Sequence, residues 1–374
     1  MNAVVSTSRG DASQRGWQYR LHIDAPLLIA LIGVSTIGLL VLYSAGGSDM
    51  DLISRQLLRL GIAFTAMFAV AQVTPRWLQR MTPWIFAIGI LLLLAVLIEG
   101  EISGGAQRWL DLYIVRFQPS EMMKLAVPMM VAWYLADSPL PPNRFQLLAS
   151  SVITIVPTLM IVKQPDLGTA LLIASAGFFV LFLAGLQWRL LAVLFVLAAA
   201  AAPLLWHFMH DYQRQRVITF LNPEMDPLGS GYHTIQAEIA IGSGGLFGKG
   251  WLNGTQSHLD FLPEGHTDFI IAVLAEEFGF NGVLLLTSLY LLLIGRSFYI
   301  SLRAQDSFSR LVVGGLTLTF FVYICVNMGM VSGLLPVVGV PLPLISQGGT
   351  AIVSLLGGFG IIMGVATGQR RLLS

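Results

Sequence analysis

Ala25-Pro-Leu-Leu-Ile-Ala-Leu-Ile-Gly-Val-Ser-Thr-Ile-Gly-Leu-Leu-Val-Leu-Tyr43 runs for 19 residues without a charged side chain. Coiled as a helix, such a run covers most of a hydrocarbon layer about 30 Å thick. It is too long for the apolar core of a secretory leader, and the polar segment before it carries Arg9, Arg15 and Arg20, so it reads as a retained first membrane span. Similar runs recur near 57–73, 83–98, 119–136, 145–162, 167–185, 189–206, 268–294, 309–331 and 349–367. The fold class expected is therefore an all-α polytopic membrane protein with about ten transmembrane helices.

Composition points the same way. With 55% apolar and 11% charged residues in a 374-residue chain, too few charges are present to cover a water-soluble surface. A net charge of +1 gives no reason to expect nucleic acid as a partner. The lone cysteine, Cys325, sits in an apolar run, which leaves no disulfide framework and no thiolate metal cluster.

Arginine and lysine beside spans are retained in the cytoplasm. With the N-terminus inside, the inner segments hold Arg9, Arg15, Arg20, Arg76, Arg80, Arg144, Arg189, Arg296, Arg303, Arg310, Arg370 and Arg371, twelve of the 21 basic residues. The last outer connection, 332–348, holds none. Both termini are thus expected in the cytoplasm. Two outer connections are long, 99–118 and 207–267, the second carrying His207, His210, His233, His258 and His266. A long connection without a domain of its own is commonly functional, and the apolar content of this one predicts that it folds back on the outer face.

Few residues in these spans can carry chemistry. Asp268 ends the long connection in Phe261-Leu-Pro-Glu-Gly-His-Thr-Asp-Phe269, where the eighth span begins. A partly desolvated carboxylate there suits proton abstraction; a helix cap formed by Thr267 or Asp268 is the structural alternative. In Ser120-Glu-Met-Met-Lys-Leu-Ala-Val127, Glu121 and Lys124 share one helical face and can pair, either as a functional site or as a structural ion pair. The outer cations Arg55, Arg108, Arg116, Arg214, Arg216 and Lys249 come from separate segments of one leaflet and together suit a phosphate-bearing ligand.

Other features carry less. Gly242-Ser-Gly-Gly-Leu-Phe-Gly-Lys-Gly250 fails the nucleotide-loop pattern at both ends and reads as a turn-rich segment. The histidines lack metal-ligand spacing, and no G-x-S-x-G elbow is present. Gly333-Leu-Leu-Pro-Val-Val-Gly-Val-Pro-Leu-Pro-Leu-Ile-Ser-Gln-Gly-Gly349 is too apolar for a solvated loop, so a re-entrant segment beside the site is expected.

Seven stretches resemble one known family. They are Gly105-Ala-Gln-Arg-Trp-Leu110, Val115-Arg-Phe-Gln-Pro-Ser-Glu121, Gln164-Pro-Asp-Leu-Gly-Thr169, Asp211-Tyr-Gln-Arg-Gln-Arg216, Asp226-Pro-Leu-Gly-Ser-Gly-Tyr232, Pro263-Glu-Gly-His-Thr-Asp-Phe269 and Pro336-Val-Val-Gly-Val-Pro-Leu-Pro-Leu-Ile-Ser346. In this order they are similar to the SEDS (shape, elongation, division, sporulation) proteins, to the elongation branch more than the division branch. The resemblance implies a peptidoglycan glycosyltransferase that polymerises lipid II at the outer face of the bacterial cytoplasmic (inner) membrane. It implies a cytoplasmic tail (1–24), a transmembrane domain (25–367) that includes the large periplasmic loop 207–267, and a short cytoplasmic tail (368–374).

Carried over position by position, the family's presumed catalytic aspartate is Asp268. The polar positions around its central cavity fall on Arg55, Arg116, Glu121, Lys124, Gln213 and Arg216. Donor sugar α-linked to undecaprenyl pyrophosphate becomes β-linked product, an inversion that calls for one base and no covalent intermediate. Asp268 is the candidate base, and Arg55, Arg116, Lys124 and Arg216 are candidates to stabilise the departing pyrophosphate, with Glu121 orienting Lys124. A divalent cation is a further candidate for that role, with no ligand set evident. The chain has no penicillin-binding S-x-x-K, S-D-N and K-T-G set. Cross-linking therefore needs a partner, which the resemblance implies is a class B penicillin-binding protein within the elongation complex, among other rod-complex proteins. The rivals are a lipid II flippase, which would place its polar groups at the bilayer midplane, and a non-catalytic scaffold, which needs no buried Glu121, Lys124 or Asp268.

Overall fold

The computed structural model describes residues 22–368, apart from 104–105, 112–115, 191, 194–195, 197–199, 201–205, 207–213, 215–216, 221, 223–229, 260 and 263–264. Its helices are α1 (Ala25–Ala45), α2 (Met50–Ala71), α3 (Pro75–Glu99), α4 (Pro119–Ala136), α5 (Arg144–Lys163), α6 (Leu167–Leu183), α7 (Ser230–Gly244), α8 (Thr255–His258), α9 (Ile270–Arg303), α10 (Ser307–Val331) and α11 (Thr350–Gly368). Seven of them, α1, α2, α3, α5, α9, α10 and α11, are long and apolar enough to cross a membrane. The apolar α6 has 17 residues; α4 has 18, with Glu121 in its first turn. Each expected run falls on one of these helices except 189–206, which lies for the most part outside the described residues, as do the two tails.

The helices start where local chemistry satisfies their first amides. Asp24 accepts from Leu27 N at 3.3 Å, with a proline in the first turn of α1. Asn143 and Gln146 form a reciprocal capping box at α5. Asp306 accepts from Ser309 N at 2.8 Å to begin α10. The faces turned away from the bundle are apolar: Leu57, Leu58 and Ile62 on α2, Leu91 and Ile98 on α3, Phe145, Leu148 and Ile155 on α5 are all exposed. Such an exterior is costly in water and suited to lipid. Small residues let backbones meet inside: a Cβ on Gly360 of α11 would collide with the Met67 carbonyl of α2.

At one end of the bundle Arg296 of α9 grips Asp24 through Nε–Oδ1 (3.0 Å) and Nη2–Oδ2 (2.7 Å), a bidentate pair that ties α9 to the start of α1. At the other end Ser44 of α1 donates to Glu277, and Trp251 Nε1 donates to the Leu40 carbonyl at 3.1 Å.

Two features depart from simple helical spans. The connection 99–118 holds a three-stranded antiparallel sheet, β1 (Glu101–Ser103), β2 (Ala106–Asp111) and β3 (Arg116–Phe117), in that order, with Leu110 opposite Phe117 and Asp111 opposite Arg116. The fold is thus helical with a small β addition, because a chain that leaves and re-enters at one level can satisfy its amides across paired strands. Second, α9 is broken at Gly279, whose φ of 64° and ψ of −162° lie outside helical space. Lys249 N and Gly250 N donate to the Glu276 and Glu277 carbonyls at 2.9 and 3.0 Å, while Phe280 N and Asn281 N donate to Gly245 O and Leu246 O at 2.9 and 3.2 Å. The glycine-rich stretch 242–250 is therefore the cap of a helix break. Within 207–267, α7 packs inward, with Ala237 and Ala240 fully buried in the core that holds Phe269 to Leu274, while Leu246, Phe247 and Leu259 are exposed.

Candidate active site

Between α4, α6, α10 and the segment leading into α11 lies a cleft of about 200 Å³. Its floor is the expected pair. Lys124 Nζ lies 2.7 Å from Glu121 Oε1, and Ser354 Oγ of α11 donates to Glu121 Oε2 at 2.7 Å, so both carboxylate oxygens are engaged. Lys124 Nζ also stands 5.0 Å from the centre of the Tyr323 ring. Both members are nearly enclosed, with side-chain exposures of 13% and 6%. Beneath them an apolar cavity of about 70 Å³ continues past Leu125, Leu316 and Phe320 to Ser297.

A second charged pair forms another wall. Asp166 caps α6 by accepting from Thr169 N at 3.1 Å, and its other oxygen accepts from Gln118 Nε2 at 3.2 Å. Arg108 of β2 donates through Nη2 to Pro165 O at 3.1 Å and faces Asp166 across 3.6 Å. The sheet is what carries this guanidinium to the cleft. Gln347, Gly348, Gly349 and Thr350 complete the lining, which opens the N-terminal end of α11 towards the two cations. Unpaired amides and the helix dipole at such an end favour negative charge.

Asp268 stands at the edge. A Cβ placed on Gly339, which lines the cleft, would lie 3.6 Å from Asp268 Oδ2, and Asp268 lies within electrostatic reach of Tyr323, as do Glu121 and Lys124. Its main chain is held firmly. Gln347 N donates to His266 O (3.0 Å), Ser346 Oγ to Thr267 O (2.6 Å) and Asn327 Nδ2 to Asp268 O (2.9 Å). α9 begins at Ile270 with Phe269 as its N-cap, one residue beyond Asp268. The segment 332–349 is non-helical; its second half is enclosed by protein, with Val340, Leu342, Leu344, Ile345 and Ser346 buried, whereas Leu334 and Leu335 are exposed.

The site residues implied by the resemblance are distributed unevenly. Glu121 and Lys124 meet in the cleft. Arg55, on the second turn of α2, and Arg116, in β3, are exposed and line neither cavity. Gln213 and Arg216 lie outside the described residues. Lys249, among the outer cations, pairs instead with the buried Glu276 at 2.7 Å. Among the described residues no three of His, Cys, Asp and Glu gather as a metal site; His233 packs its ring 6.0 Å from Phe269. Asp166, Gln118, Tyr323 and Ser354 were not singled out by sequence. Asp166 lay within a quoted motif, and its signal was a carboxylate at the mouth of an apolar run.

A bundle of apolar helices enclosing a charged cleft beside non-helical backbone has close relatives. The chain belongs to the cell cycle protein family of FtsW, RodA and SpoVE, which it matches over residues 24–371. It is 54% identical over 356 residues to the peptidoglycan glycosyltransferase MrdB of Escherichia coli K12, a match covering 95% of this chain and 96% of that protein. It is 36% identical to the probable peptidoglycan glycosyltransferase FtsW of Aromatoleum aromaticum, across 94% of this chain and 90% of that one. Among solved structures, a chain from a peptidoglycan synthase complex superposes with a TM-score of 0.81 at 33% identity, covering 92% of this chain and 98% of its own. The rod shape determining protein RodA of Thermus thermophilus gives 0.70 at 30% identity, covering 92% and 96%.

Proposed function

We propose that this protein is a membrane-embedded peptidoglycan glycosyltransferase of the elongation branch that polymerises lipid II into glycan strands. The observation that carries the proposal is the cleft itself: a carboxylate at its rim, two cations on separate walls and a helix N-terminus facing them. The closer identity to MrdB than to FtsW favours elongation over division.

Chemically, the 4-hydroxyl of the acceptor GlcNAc attacks C1 of the donor MurNAc from the face opposite the pyrophosphate. A C–O bond forms, the bond from C1 to pyrophosphate oxygen breaks, and undecaprenyl pyrophosphate departs with the electron pair. Asp268 takes the hydroxyl proton as general base. Lys124 and Arg108, with the amides at the start of α11, meet the charge that grows on the leaving group, and Glu121 and Asp166 hold these cations in place. Pyrophosphate leaves without protonation, so one carboxylate suffices where glycoside hydrolysis uses two. Arg55, Arg116, Gln213 and Arg216 are proposed to contact substrate beyond the cleft, at the outer leaflet. A divalent cation remains a candidate for sharing the pyrophosphate.

The protein is proposed to lie in the inner membrane with both termini cytoplasmic. The Asp24–Arg296 pair supports this, since it sets the start of α1 level with an arginine-rich connection. A class B penicillin-binding protein is the proposed partner for cross-linking; the similarity to a chain of a synthase complex supports it.

The test is polymerisation of lipid II in detergent by the purified protein with that partner. Asp268→Asn is expected to lower turnover by about 10²- to 10⁴-fold while lipid II still binds. Equal polymer from both would remove Asp268 as the base. No polymer from wild type across partners and divalent cations would remove the glycosyltransferase reading.

A further inference from the structure

We infer that Asn327 of α10, seconded by Ser346, is a positioning residue that sets the aim of the Asp268 carboxylate. This rests on the reading of Asp268 as the base. Asn327 is fully buried, and its single Nδ2 donates to two carbonyls, Asp268 O at 2.9 Å and Val340 O at 2.7 Å. One amide group thereby clamps the turn that carries the base to the segment that lines the cleft. Ser346, also buried, does the same with one hydroxyl: it donates to Thr267 O at 2.6 Å and accepts from Leu342 N at 2.7 Å.

The arrangement is selective. Three consecutive carbonyls, 266 to 268, each receive a donor from α10 or from 346–347, so the main chain of the turn has little freedom to rotate. The side chain of Asp268 leaves that main chain towards Gly339, which belongs to the same clamped segment. Asn327 Oδ1, by contrast, is buried with no hydrogen-bond partner. A buried amide that uses only its donor end costs stability; what it gains here is a fixed relation between Asp268 and the cleft. Displacement of a reacting group by about 1 Å can cost about a hundredfold in rate, so a group that sets this relation acts on turnover more than on substrate affinity.

The experiment uses the full-length protein with its class B partner and lipid II. Asn327→Leu removes both bonds at similar volume. Asn327→Asp keeps the shape but turns an acceptor towards two carbonyls, and Ser346→Ala deletes one hydroxyl, which guards against a variant that fails to fold. We expect kcat to fall about 10- to 100-fold for the Asn327 variants and less for Ser346→Ala, with KM within about twofold. In an Asp268→Asn background the same substitutions should add no further loss, since their effect passes through the carboxylate.

Wild-type turnover in all three variants would overturn the inference, and so would losses that multiply fully with Asp268→Asn. Losses that only track the folded fraction, with kcat per folded molecule unchanged, would overturn it too. If wild type makes no polymer the glycosyltransferase reading has failed, and if Asp268→Asn matches wild type the choice of base has failed; either result is distinct from failure of the clamp.

Discussion

Replacing Lys124 by methionine is the sharpest test of the cleft, because it removes a charge from a fully bonded pair while nearly conserving volume. The departing pyrophosphate gains about one unit of negative charge in the transition state. At about 4 Å and an effective dielectric constant near 20, one ammonium stabilises that unit by about 4 kcal/mol. Glu121 at 2.7 Å opposes part of this. Halving the figure for its presence leaves about 2 kcal/mol, or roughly 30-fold in turnover at 1.36 kcal/mol per decade.

A structural cost runs in parallel. With Lys124 gone, Glu121 keeps the Ser354 bond but loses its counterion inside the protein, and orphaning a buried charge costs about 3–5 kcal/mol. The double variant Glu121→Gln/Lys124→Met separates the two effects, since a neutral pair leaves no orphan. Thermal unfolding in detergent should show the single variant destabilised and the double variant largely recovered. Lipid II polymerisation should stay at least about 30-fold down in both. If the double variant recovers turnover along with stability, the ammonium plays no part in the reaction and the pair is structural.

Two further outcomes follow from the fold. Gly279→Ala forces a side chain into positive-φ extended backbone that essentially only glycine adopts, which alone costs about 1–3 kcal/mol, and its Cβ would also collide with backbone of Gly248 and Leu246; the yield of monodisperse protein should collapse, and a wild-type yield with wild-type turnover would contradict the capped break. Arg296→Met strips the nearly buried Asp24 of both charged bonds, which should cost about 2 kcal/mol in detergent unfolding with kcat of the folded fraction unchanged. Adding Asp24→Asn should restore most of that loss, and a double variant as unstable as the single one would argue against the pair as the tie.

What the sequence made legible follows from what has a local signature. Long uncharged runs located the helices, and the three-residue spacing of Glu121 and Lys124 placed them on one face. The partner that fixes them, Ser354, lies 233 positions away and has no local signature at all. The break in α9 was hidden because Phe278-Gly-Phe-Asn281 continues an apolar run and glycine is ordinary in membrane helices; only the approach of 245–250 reveals why glycine is required. The sheet was hidden by strands of two to six residues. Asp166 caps α6 with one oxygen, but its second oxygen, turned to Gln118 and Arg108, is visible only in three dimensions. Arg55 lies before the apolar run near 57–73 yet inside α2, because the helix begins at Met50.

The same physics explains why Asp268 is on a turn and not on a helix. A helix within lipid has already spent its backbone groups on itself, and it presents side chains only along its flanks. To bring a carboxylate to the rim of a cleft from the start of a helix, the preceding chain must leave helical geometry, and every carbonyl so released needs a donor. Here those donors are Gln347 N, Ser346 Oγ and Asn327 Nδ2, and at the far end of the short buried helix 270–278 the amides of 249 and 250 serve the same purpose. The irregular backbone at 266–268 and at the α9 break is therefore held by specific donors. It follows that neutral residues matter beside the charged ones that face the substrate: substitution of Asn327 or Ser346 should lower turnover, and substitution of Gly279 should impair folding.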